Sequence, residues 1–452
     1  MSKIIQLKKC LDIRLVGEAD KTIASQPKAD RYAIKPTDFI GVTPKMLVKE
    51  GDKVKAGSPL FFDKYHPTLL FTSPVTGVVE AVVRGEKRKI LEVVINPSSQ
   101  QEFEAFAVDG EMAAAKIKEL MLTAGLWPFI IQRPYGIIAS ENDTPRDIFV
   151  SLFDTAPLAP DMELIINSQR ADFEKGINVL SKLTSGNVYL GANQTNSETT
   201  LSVAKGNVVA QQFRGSHPTG CVGVQINHIA PINKGEIIWT VDAQAVAIIG
   251  RFFATGKVDM TKIIALAGSE VVKPQYCKTV YGATIESIVG ANIKPQAPGD
   301  NVRIINGNVL TGTTTSKSGY LSFYNNIISI IPEGDKSVFV GWIAPRCDKF
   351  SVSHMLFSWL TPNKKYRLDT NTNGGKRAFV MTGEYEKVVP MDIYPVYLLK
   401  AILANDIDKM ENLGIYEVIE EDFALCDFVC TSKIDVQQII RDGINSMIKE
   451  LN

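Results

Sequence analysis

The segment from Met46 to Val83 constrains the fold more than any other part of the chain. It contains two β-rich halves in which apolar residues alternate with polar ones, the pattern of short strands that bury one face. Gly51 and Gly57 stand where tight turns are required, because glycine adopts positive φ without steric cost. The halves meet at Lys64. The segment therefore predicts a compact β-rich domain with a lysine on the hairpin that joins its two halves.

This pattern is typical of the hammerhead domains that carry a lipoyl or biotinyl group on the lysine of the hairpin. Here Tyr65, His66 and Pro67 follow Lys64, and the connection is roughly two residues longer than the tight turn of such carriers. Because hairpin length fixes hairpin geometry, we expect Lys64 to be unmodified and exposed on a structural hairpin. A lipoyl or biotinyl carrier is the alternative.

Composition excludes several classes of function. The 452 residues suffice for about three domains of ordinary size. With 49 basic and 49 acidic residues the chain is neutral, which gives no electrostatic basis for nucleic-acid binding. We interpret the basic run RGEKRK, residues 84–89, as a solvated strand rim. The six cysteines, at positions 10, 221, 277, 347, 426 and 430, are too sparse for a disulfide framework and indicate a reducing compartment.

The sequence predicts no membrane-spanning helix. The N-terminal residues MSKIIQLKKC lack the apolar core of a signal peptide. Asp242, Asp392 and Pro395 interrupt the most apolar windows. We therefore expect a soluble or peripheral protein that reaches a membrane only through partner subunits.

The order of periodic segments predicts an α/β multidomain fold. We expect a biotinyl/lipoyl-like hammerhead with the N-terminal segment in residues 1–100, and a Rossmann-like α/β domain with a largely parallel sheet in residues 101–257. Short strands then predict a β-grasp module, of SLBB or ubiquitin-like type, in residues 258–335. A mostly helical domain is expected in residues 336–452.

Particular strands and helices follow from the same patterns. In the α/β domain the runs DIFVSLF, MELIIN, NVYLGAN and VGVQINHI are expected to be strands. Helices are expected over residues 111–124, 173–184 and 435–451. Ser432 and Asp435 form a candidate capping box before the last of these helices.

Several longer motifs occur together in a fixed order: LVKEGDKVKAGSPLF, FTSPVTGVV, TAGLWPFIIQRP, RGSHPTG, VRIINGNVLTGT and ALCDFVC. On these motifs the whole chain resembles the A subunit of the bacterial sodium-translocating NADH:quinone oxidoreductase. The resemblance implies a peripheral subunit on the cytoplasmic face of the inner membrane, in a complex that couples electron transfer from NADH to ubiquinone with sodium export. It also implies partners that carry NAD, flavin and iron–sulfur cofactors, especially a membrane-embedded flavin-carrying subunit.

More distantly, the chain is similar to the flavin-binding subunit of complex I and the C subunit of the Rnf complex. In those proteins a glycine-rich loop approaches the flavin phosphate, which requires free backbone N–H groups. Here the corresponding place, after Gly125, reads LWPFIIQRPYG, and bulky residues replace the glycines. Of four cluster thiolates only Cys426 and Cys430 remain, which we interpret as a buried pair. We expect no flavin, cluster or other metal on this chain and no catalysis by it alone. A soluble flavin-dependent NADH dehydrogenase is the alternative.

Two segments contain residues suited to a quinone, which needs hydrogen-bond donors for its carbonyl oxygens and an apolar or aromatic wall. In residues 125–136, Trp127 and Phe129 offer aromatic faces, Arg133 and the Trp127 indole offer donors, and Pro134 stiffens the chain. The alternative is that the aromatic residues belong to the core.

The second segment is RGSHPTG, residues 214–220, in which His217 is a candidate either to donate to a quinone carbonyl or to titrate near neutrality. The alternative is a structural histidine.

For the first segment, residues 125–136, we expect Arg133→Ala to weaken quinone binding by roughly ten- to hundred-fold and to leave the melting temperature near that of wild type.

Overall fold

The computed structural model describes residues 4–25, 28–108, 110–196, 202–336, 349–353 and 357–451. One of the six cysteines, Cys347, lies outside these ranges. Within them the strands are β1 (Ile5–Gln6), β2 (Asp20–Ser25), β3 (Tyr32–Ile34), β4 (Pro44–Met46), β5 (Lys53–Val54), β6 (Pro59–Asp63), β7 (Leu70–Thr72), β8 (Gly77–Arg84), β9 (Ile90–Pro97), β10 (Ile131–Arg133), β11 (Ile137–Ile138), β12 (Ile148–Ser151), β13 (Val188–Asn193), β14 (Val208–Arg214), β15 (Ile238–Thr240), β16 (Thr261–Ala267), β17 (Gln275–Val280), β18 (Val302–Asn306), β19 (Thr313–Thr315) and β20 (Ile327–Pro332). The α-helices are α1 (Ala114–Thr123), α2 (Met162–Ser168), α3 (Arg170–Ser181), α4 (Val222–Ile229), α5 (Ala243–Thr255), α6 (Ile285–Val289), α7 (Pro395–Leu403), α8 (Ile407–Asn412), α9 (Ala424–Val429) and α10 (Val436–Leu451).

The predicted β-rich domain consists of two small sheets, with strand orders β3-β9-β8-β5 and β4-β6-β7. Leu60 and Phe61 of β6 are fully buried, and the Phe61 ring stacks on Phe71 with 4.6 Å between centroids. Lys64 is exposed on the hairpin between the antiparallel strands β6 and β7. The prediction of a compact β-rich domain with a lysine on the connecting hairpin is confirmed.

The central α/β sheet has the strand order β1-β14-β13-β12-β15-β10-β11. The neighbours from β1 to β15 pair in parallel, while β10 and β11 are antiparallel additions at one side. The prediction of a largely parallel sheet is confirmed. Helices α3 and α5 pack closely on each other, because a Cβ on Gly176 or on Gly250 would overlap backbone atoms of the opposite helix.

Two of the four predicted strands in this domain are wrong. MELIIN belongs to helix α2, and VGVQINHI forms helix α4. A short apolar run has the same pattern in a buried strand and in a buried helix, so its periodicity does not separate the two. For α2 the capping residue distinguishes helix from strand, because the Asp161 carboxylate accepts a hydrogen bond from the Leu164 N–H at 3.2 Å.

A six-stranded sheet with the order β19-β18-β20-β16-β17-β2 follows the α/β domain along the chain. The one α-helix of this module among the described residues, α6, begins after Thr284. The N-terminal segment, residues 4–25, contributes to two sheets: β1 pairs with β14 of the α/β sheet, and β2 pairs with β17. The predicted boundary at residue 100 therefore groups these two strands with a hammerhead to which they do not pair.

The C-terminal region contains helices α7 to α10. The predicted helix over residues 435–451 is confirmed as α10. The capping box is wrong, because Ser432 Oγ donates to the Ala378 carbonyl instead, and Asp435 alone accepts from the Gln438 N–H, at 3.1 Å. In the part of the chain that the structure describes, no helix combines the length and the apolar character needed to cross a bilayer.

A buried ion pair joins this region to the α/β sheet. Arg133 of β10 is 1% exposed, and its Nη1 lies 2.9 Å from Asp422 Oδ2. Asp422 belongs to a 3-10 turn, Glu420–Phe423, which we call the acidic turn. The pair joins residues far apart in sequence, so it holds two regions of the chain together.

The burial of Arg133 contradicts the expectation that Arg133→Ala leaves the melting temperature unchanged. Removing the guanidinium strands the Asp422 carboxylate in the interior, so we expect a loss of about 3–5 kcal/mol in the free energy of unfolding, measured by urea denaturation. The double variant Arg133→Met with Asp422→Leu should recover much of that loss, since both charges are gone. Lys116→Ala, which breaks an exposed pair with Glu119, should cost less than about 1 kcal/mol. An Arg133→Ala protein as stable as the Lys116→Ala control would contradict this.

Candidate functional site

A cavity of about 210 Å³ lies where the α/β sheet, the six-stranded sheet and the acidic turn meet. Its apolar lining consists mainly of Phe129, Phe153, Met162, Val222, Tyr281, Phe323 and Tyr324. Its polar lining includes Ser151, Asp154, Gly220, Thr240, Asp242, Asn326 and Glu421. We call this space the aromatic cavity.

The aromatic walls pack on one another. The Phe129 ring stacks on Phe323 with 4.7 Å between centroids and 25° between planes, and it meets the edge of Tyr281 at 5.5 Å. The Tyr324 hydroxyl donates to the Pro128 carbonyl at 2.8 Å, which ties the loop before β20 to the turn before β10. These contacts hold the rings in place, so the cavity presents fixed aromatic surfaces.

A buried lysine supports one wall from behind. Lys262 is 1% exposed, and its Nζ lies 4.2 Å from the centroid of the Tyr281 ring. The same ammonium donates to the Asn325 carbonyl at 2.7 Å. Burial lowers the pKa of Lys262 to about 7. The contact fixes the Tyr281 ring against the cavity.

Two exposed carboxylates border the cavity. Asp242 caps helix α5, where it accepts from the Gln244 N–H at 2.9 Å, and it also accepts from Asn326 Nδ2 at 2.9 Å. Asp154 accepts from the Ala156 N–H at 2.8 Å. The N-terminus of α5, a place where helices often bind anions, is thus occupied by a carboxylate of the chain itself.

Glu421 differs from its two neighbours in the acidic turn, which are both paired with arginines. Glu420 Oε1 accepts from Arg441 Nε at 2.9 Å, and Asp422 Oδ2 accepts from Arg133 Nη1 at 2.9 Å. Glu421 is half-buried and lines the cavity, and among the described residues it has no hydrogen-bond or ion-pair partner. Burial first, and then the charge of Asp422, raise the pKa of Glu421 to about 7. At or below neutral pH this carboxyl is therefore available as a protonated donor.

The structure divides the residues predicted from the segment 125–136. Phe129 lines the aromatic cavity. Trp127 is fully buried against Trp239, and its indole N–H donates to the Ala139 carbonyl at 2.7 Å. Arg133 is engaged with Asp422, and Pro134, which follows it, is buried. The two proposed donors thus have partners within the chain.

The second predicted segment reaches the same cavity through Gly220. His217 is 6% exposed, and its Nδ1 lies 3.3 Å from Thr155 Oγ1. Burial lowers the pKa of His217 to about 4. The expectation that it titrates near neutrality is wrong, because a buried imidazolium would lose its hydration without gaining a counter-charge.

Sequence reasoning missed Glu421, Tyr281 and Phe323. The signal for the first was available in the run EEDFALC, where three acidic residues precede a buried helix. Three adjacent carboxylates at a helix start require compensation, but their arginine partners, Arg133 and Arg441, are distant along the chain, so the run alone does not separate Glu421 from the other two. The aromatic residues carry no comparable local signal.

A larger cleft of about 750 Å³ lies between the hammerhead and the six-stranded sheet. Its lining includes Lys28, Asp30, Arg31, Ser99 and Gln101, all exposed, and its aromatic residues are Tyr32 and Phe103, so it has fewer aromatic side chains than the aromatic cavity. We therefore regard the smaller cavity as the candidate site.

The cysteine pair is buried as predicted. Cys426 and Cys430 are 0% and 1% exposed, and the Tyr385 hydroxyl donates to the Cys430 sulfur at 2.9 Å. Burial raises the pKa of the Cys426 thiol well above its usual value. Within the described ranges, no group of three or more histidine, cysteine or carboxylate side chains is arranged to hold a metal.

The lysine hairpin is attached to the α/β domain. Thr68 Oγ1 donates to Glu141 Oε1 at 2.9 Å, and His66 Nδ1 lies 3.5 Å from Glu141 Oε2. In a swinging carrier such contacts would restrict the motion of the hairpin. The absence of modification on Lys64 stays a prediction.

Three family models match successive parts of the chain. They are the NqrA N-terminal barrel-sandwich hybrid domain at residues 5–98, the NqrA second alpha/beta domain at residues 112–258, and the NQRA C-terminal domain, of SLBB type, at residues 263–317. Together they confirm a mixed α/β multidomain chain with a barrel-sandwich domain at the N-terminal side and an SLBB-like domain after it.

Curated relatives match over the full length. The A subunit of the Na(+)-translocating NADH-quinone reductase of Neisseria meningitidis serogroup A is 36% identical over 452 residues, covering 99% of this chain and 100% of the relative. The protein of the same description from Rhodopirellula baltica is 36% identical over 458 residues, covering 99% and 98%. A solved NAD+-reducing [NiFe]-hydrogenase aligns with 76% of this chain and 63% of its own at 10% identity, with a TM-score of 0.39, too low to indicate a shared overall fold.

Glu421 should make the stability of the protein depend on pH. Its pKa is about 7 in the folded chain against an ordinary value of 4.5, so its contribution to stability is full below the lower value and is lost as pH rises through the higher one. We expect the stability of Glu421→Gln relative to wild type to rise by about 1–2 kcal/mol between about pH 5 and about pH 8. Urea unfolding across this range measures it, with exposed Glu111→Gln as control. A constant difference between Glu421→Gln and wild type would refute the assignment.

Proposed function

Because the chain belongs to the family of the A subunit of the Na+-translocating NADH-quinone reductase, we propose that it serves as a peripheral component of such a complex and contributes a binding place for the quinone headgroup. The complex couples electron transfer from NADH to ubiquinone with sodium export. In this proposal the chain supplies quinone access and assembly contacts, and the redox steps take place on its partners.

The observation that carries the proposal is a protonatable carboxyl facing stacked aromatic rings across a small cavity. A quinone ring is flat, uncharged and bounded by two carbonyl oxygens, so it is suited to packing against the aromatic wall that Phe129 and Phe323 form together. Glu421, when protonated, supplies the hydrogen bond that a carbonyl oxygen accepts. The volume of about 210 Å³ is below the 300–1,000 Å³ typical of pockets for drug-sized ligands, so the ring alone would fit and the isoprenoid tail would extend outward.

The charges at the border argue against the alternative of a flavin-dependent NADH dehydrogenase. Flavin mononucleotide and NADH carry phosphates, and the Asp242 carboxylate would repel them. The N-terminus of α5 is already capped by Asp242, so its N–H groups are not free for a phosphate. We therefore propose that this chain binds no flavin, NAD, iron–sulfur cluster or other metal, and that these cofactors belong to partner subunits.

The remaining residues predicted from sequence take a supporting role in this proposal. Trp127, Arg133 and Pro134 lie behind Phe129 and hold its turn, and His217 holds the loop that ends at Gly220. Partner subunits follow from the family. We propose that they include a membrane-embedded, flavin-carrying protein, and that the chain lies on the cytoplasmic face of the bacterial inner membrane.

The finer domain assignments also belong to the proposal. The mainly parallel sheet with β10 and β11 added supports a Rossmann-like domain for residues 101–257. The mixed sheet with one short helix supports a β-grasp module for residues 258–335, and helices α7 to α10 support a mostly helical domain for residues 336–452.

Binding of a short-chain, water-soluble ubiquinone analogue to the full chain, measured by titration calorimetry, tests the site. If Glu421 donates as an acid, wild-type affinity should fall as pH rises above about 7. Glu421→Gln keeps a donor without a titration, so its affinity should not change with pH. Glu421→Leu should bind roughly 5- to 150-fold more weakly below that pH, because one ligand carbonyl loses its partner.

An aromatic substitution with a matched control complements this measurement. Phe129→Leu should also weaken binding, whereas Phe106→Leu, which changes a ring packed on Phe252 away from the cavity, should not. Unchanged affinity in both Phe129→Leu and Glu421→Leu, with melting temperatures that show folded protein, would move the quinone away from this cavity and leave a scaffold role.

A further inference from the structure

The hairpin between β8 and β9 concentrates positive charge at one end of the hammerhead. Residues 84–89, which we call the basic hairpin, contain Arg84, Lys87, Arg88 and Lys89 against a single acidic residue. All four basic side chains are exposed. Among the described residues none of them forms an ion pair with a carboxylate, so their charges are not neutralised within the described chain.

The hairpin closes in a tight turn. Lys87 and Arg88 adopt positive φ values of 52° and 61°, and the Lys89 N–H donates to the Glu86 carbonyl at 3.1 Å. Positive φ at both central residues is the geometry of a type I′ turn, which matches the twist of the two flanking strands. The turn therefore places two of the four charges at the tip of the hairpin.

Exposed apolar side chains adjoin the charges. Val83, the residue before Arg84, is 37% exposed, and Leu47 is 50% exposed. Leu47, Lys49 and Arg84 line one surface hollow, together with the single acidic residue Glu50, which places this leucine beside the basic hairpin. The end of the domain therefore combines excess positive charge with apolar surface.

We propose that the basic hairpin binds the surface of an anionic phospholipid membrane. Each lysine or arginine near such a surface contributes about 1 kcal/mol, which corresponds to about a fivefold gain in affinity. Apolar residues beside basic ones match the boundary between headgroups and acyl chains, where both find favourable surroundings. An acidic protein segment would satisfy the charges but would give Val83 and Leu47 no comparable environment.

Membrane binding by the basic hairpin does not require the aromatic cavity, and the neutral net charge of the chain does not exclude it. A net charge of zero gives no reason to expect affinity for lipid, but the net charge is summed over the whole protein surface. Local charge is what a membrane meets within the Debye length of about 10 Å at moderate salt. Residues 84–89 therefore form a membrane-binding surface and not simply a solvated strand rim.

Co-sedimentation of the full chain with vesicles tests the proposal. The chain should bind vesicles of phosphatidylcholine mixed with phosphatidylglycerol, bind vesicles of phosphatidylcholine alone much more weakly, and lose binding at high salt. The double variant Lys87→Asn with Arg88→Asn removes two charges and keeps residues that tolerate left-handed backbone. Its affinity for the mixed vesicles should fall by roughly 25-fold.

A matched control distinguishes the effect of where the charges lie from the effect of a lower net charge. Lys175→Gln with Lys182→Gln removes the same charge from exposed positions of α3 and the residue that follows it, and it should bind as wild type does. The proposal is overturned if wild type does not bind the mixed vesicles, or if the control loses as much affinity as the hairpin variant. It is also overturned if the hairpin variant binds vesicles normally but no longer associates with the rest of the complex, since the partner would then be an acidic protein surface.

Discussion

The buried pair of Arg133 and Asp422 is the contact on which the candidate site and the C-terminal helices both depend. Two ions removed from water are tolerated when their mutual attraction and hydrogen bonds offset the lost hydration. Among the described residues the offset is incomplete, because Arg133 Nε and Asp422 Oδ1 are buried without a hydrogen-bond partner. Asp422 Oδ2 gains a second hydrogen bond from the Ile419 N–H at 3.0 Å, and Gly223 leaves room for the carboxylate, because a Cβ there would overlap it. The acidic turn is fixed by this pair. Within the described part of the chain, Glu421 is the one carboxyl of this turn without a hydrogen-bond or ion-pair partner, and it lines the cavity.

The local sequence pattern predicts a secondary-structure element correctly where that element is long or has clear boundary residues. Helix α10 has an apolar stripe over four turns, and the lysine hairpin is bounded by turn residues, so both were predicted correctly. The runs that became α2 and α4 are short and largely apolar, and their periodicity does not decide between helix and strand. The two-residue strand β1 is invisible in sequence, because its partner, Phe213, is distant along the chain.

At the candidate site, the sequence predicts the type of residue that is needed but not the direction in which each side chain points. Trp127, Phe129 and Arg133 have the chemistry that a quinone site needs, and they lie within one short segment, but successive residues of a turn and a strand point to different sides. Only Phe129 of these three lines the cavity, while the other two hold the core. Phe323 and Glu421, which line the same cavity, come from distant parts of the chain. A cavity formed by such long-range contacts has no characteristic residue spacing in the sequence.

The N-terminal segment has a consequence for the order of folding during synthesis. Ile5 pairs with Phe213, and Ala24 pairs with Cys277, so strands made early must wait for partners that leave the ribosome much later. Loop closure over such separations is slow, and each of the two strands takes an edge position in its sheet. Until they arrive, the open edges of β14 and β17 can pair with other strands. A nascent chain of this protein is therefore most exposed to mispairing after its sheets have formed and before its first strands have closed them.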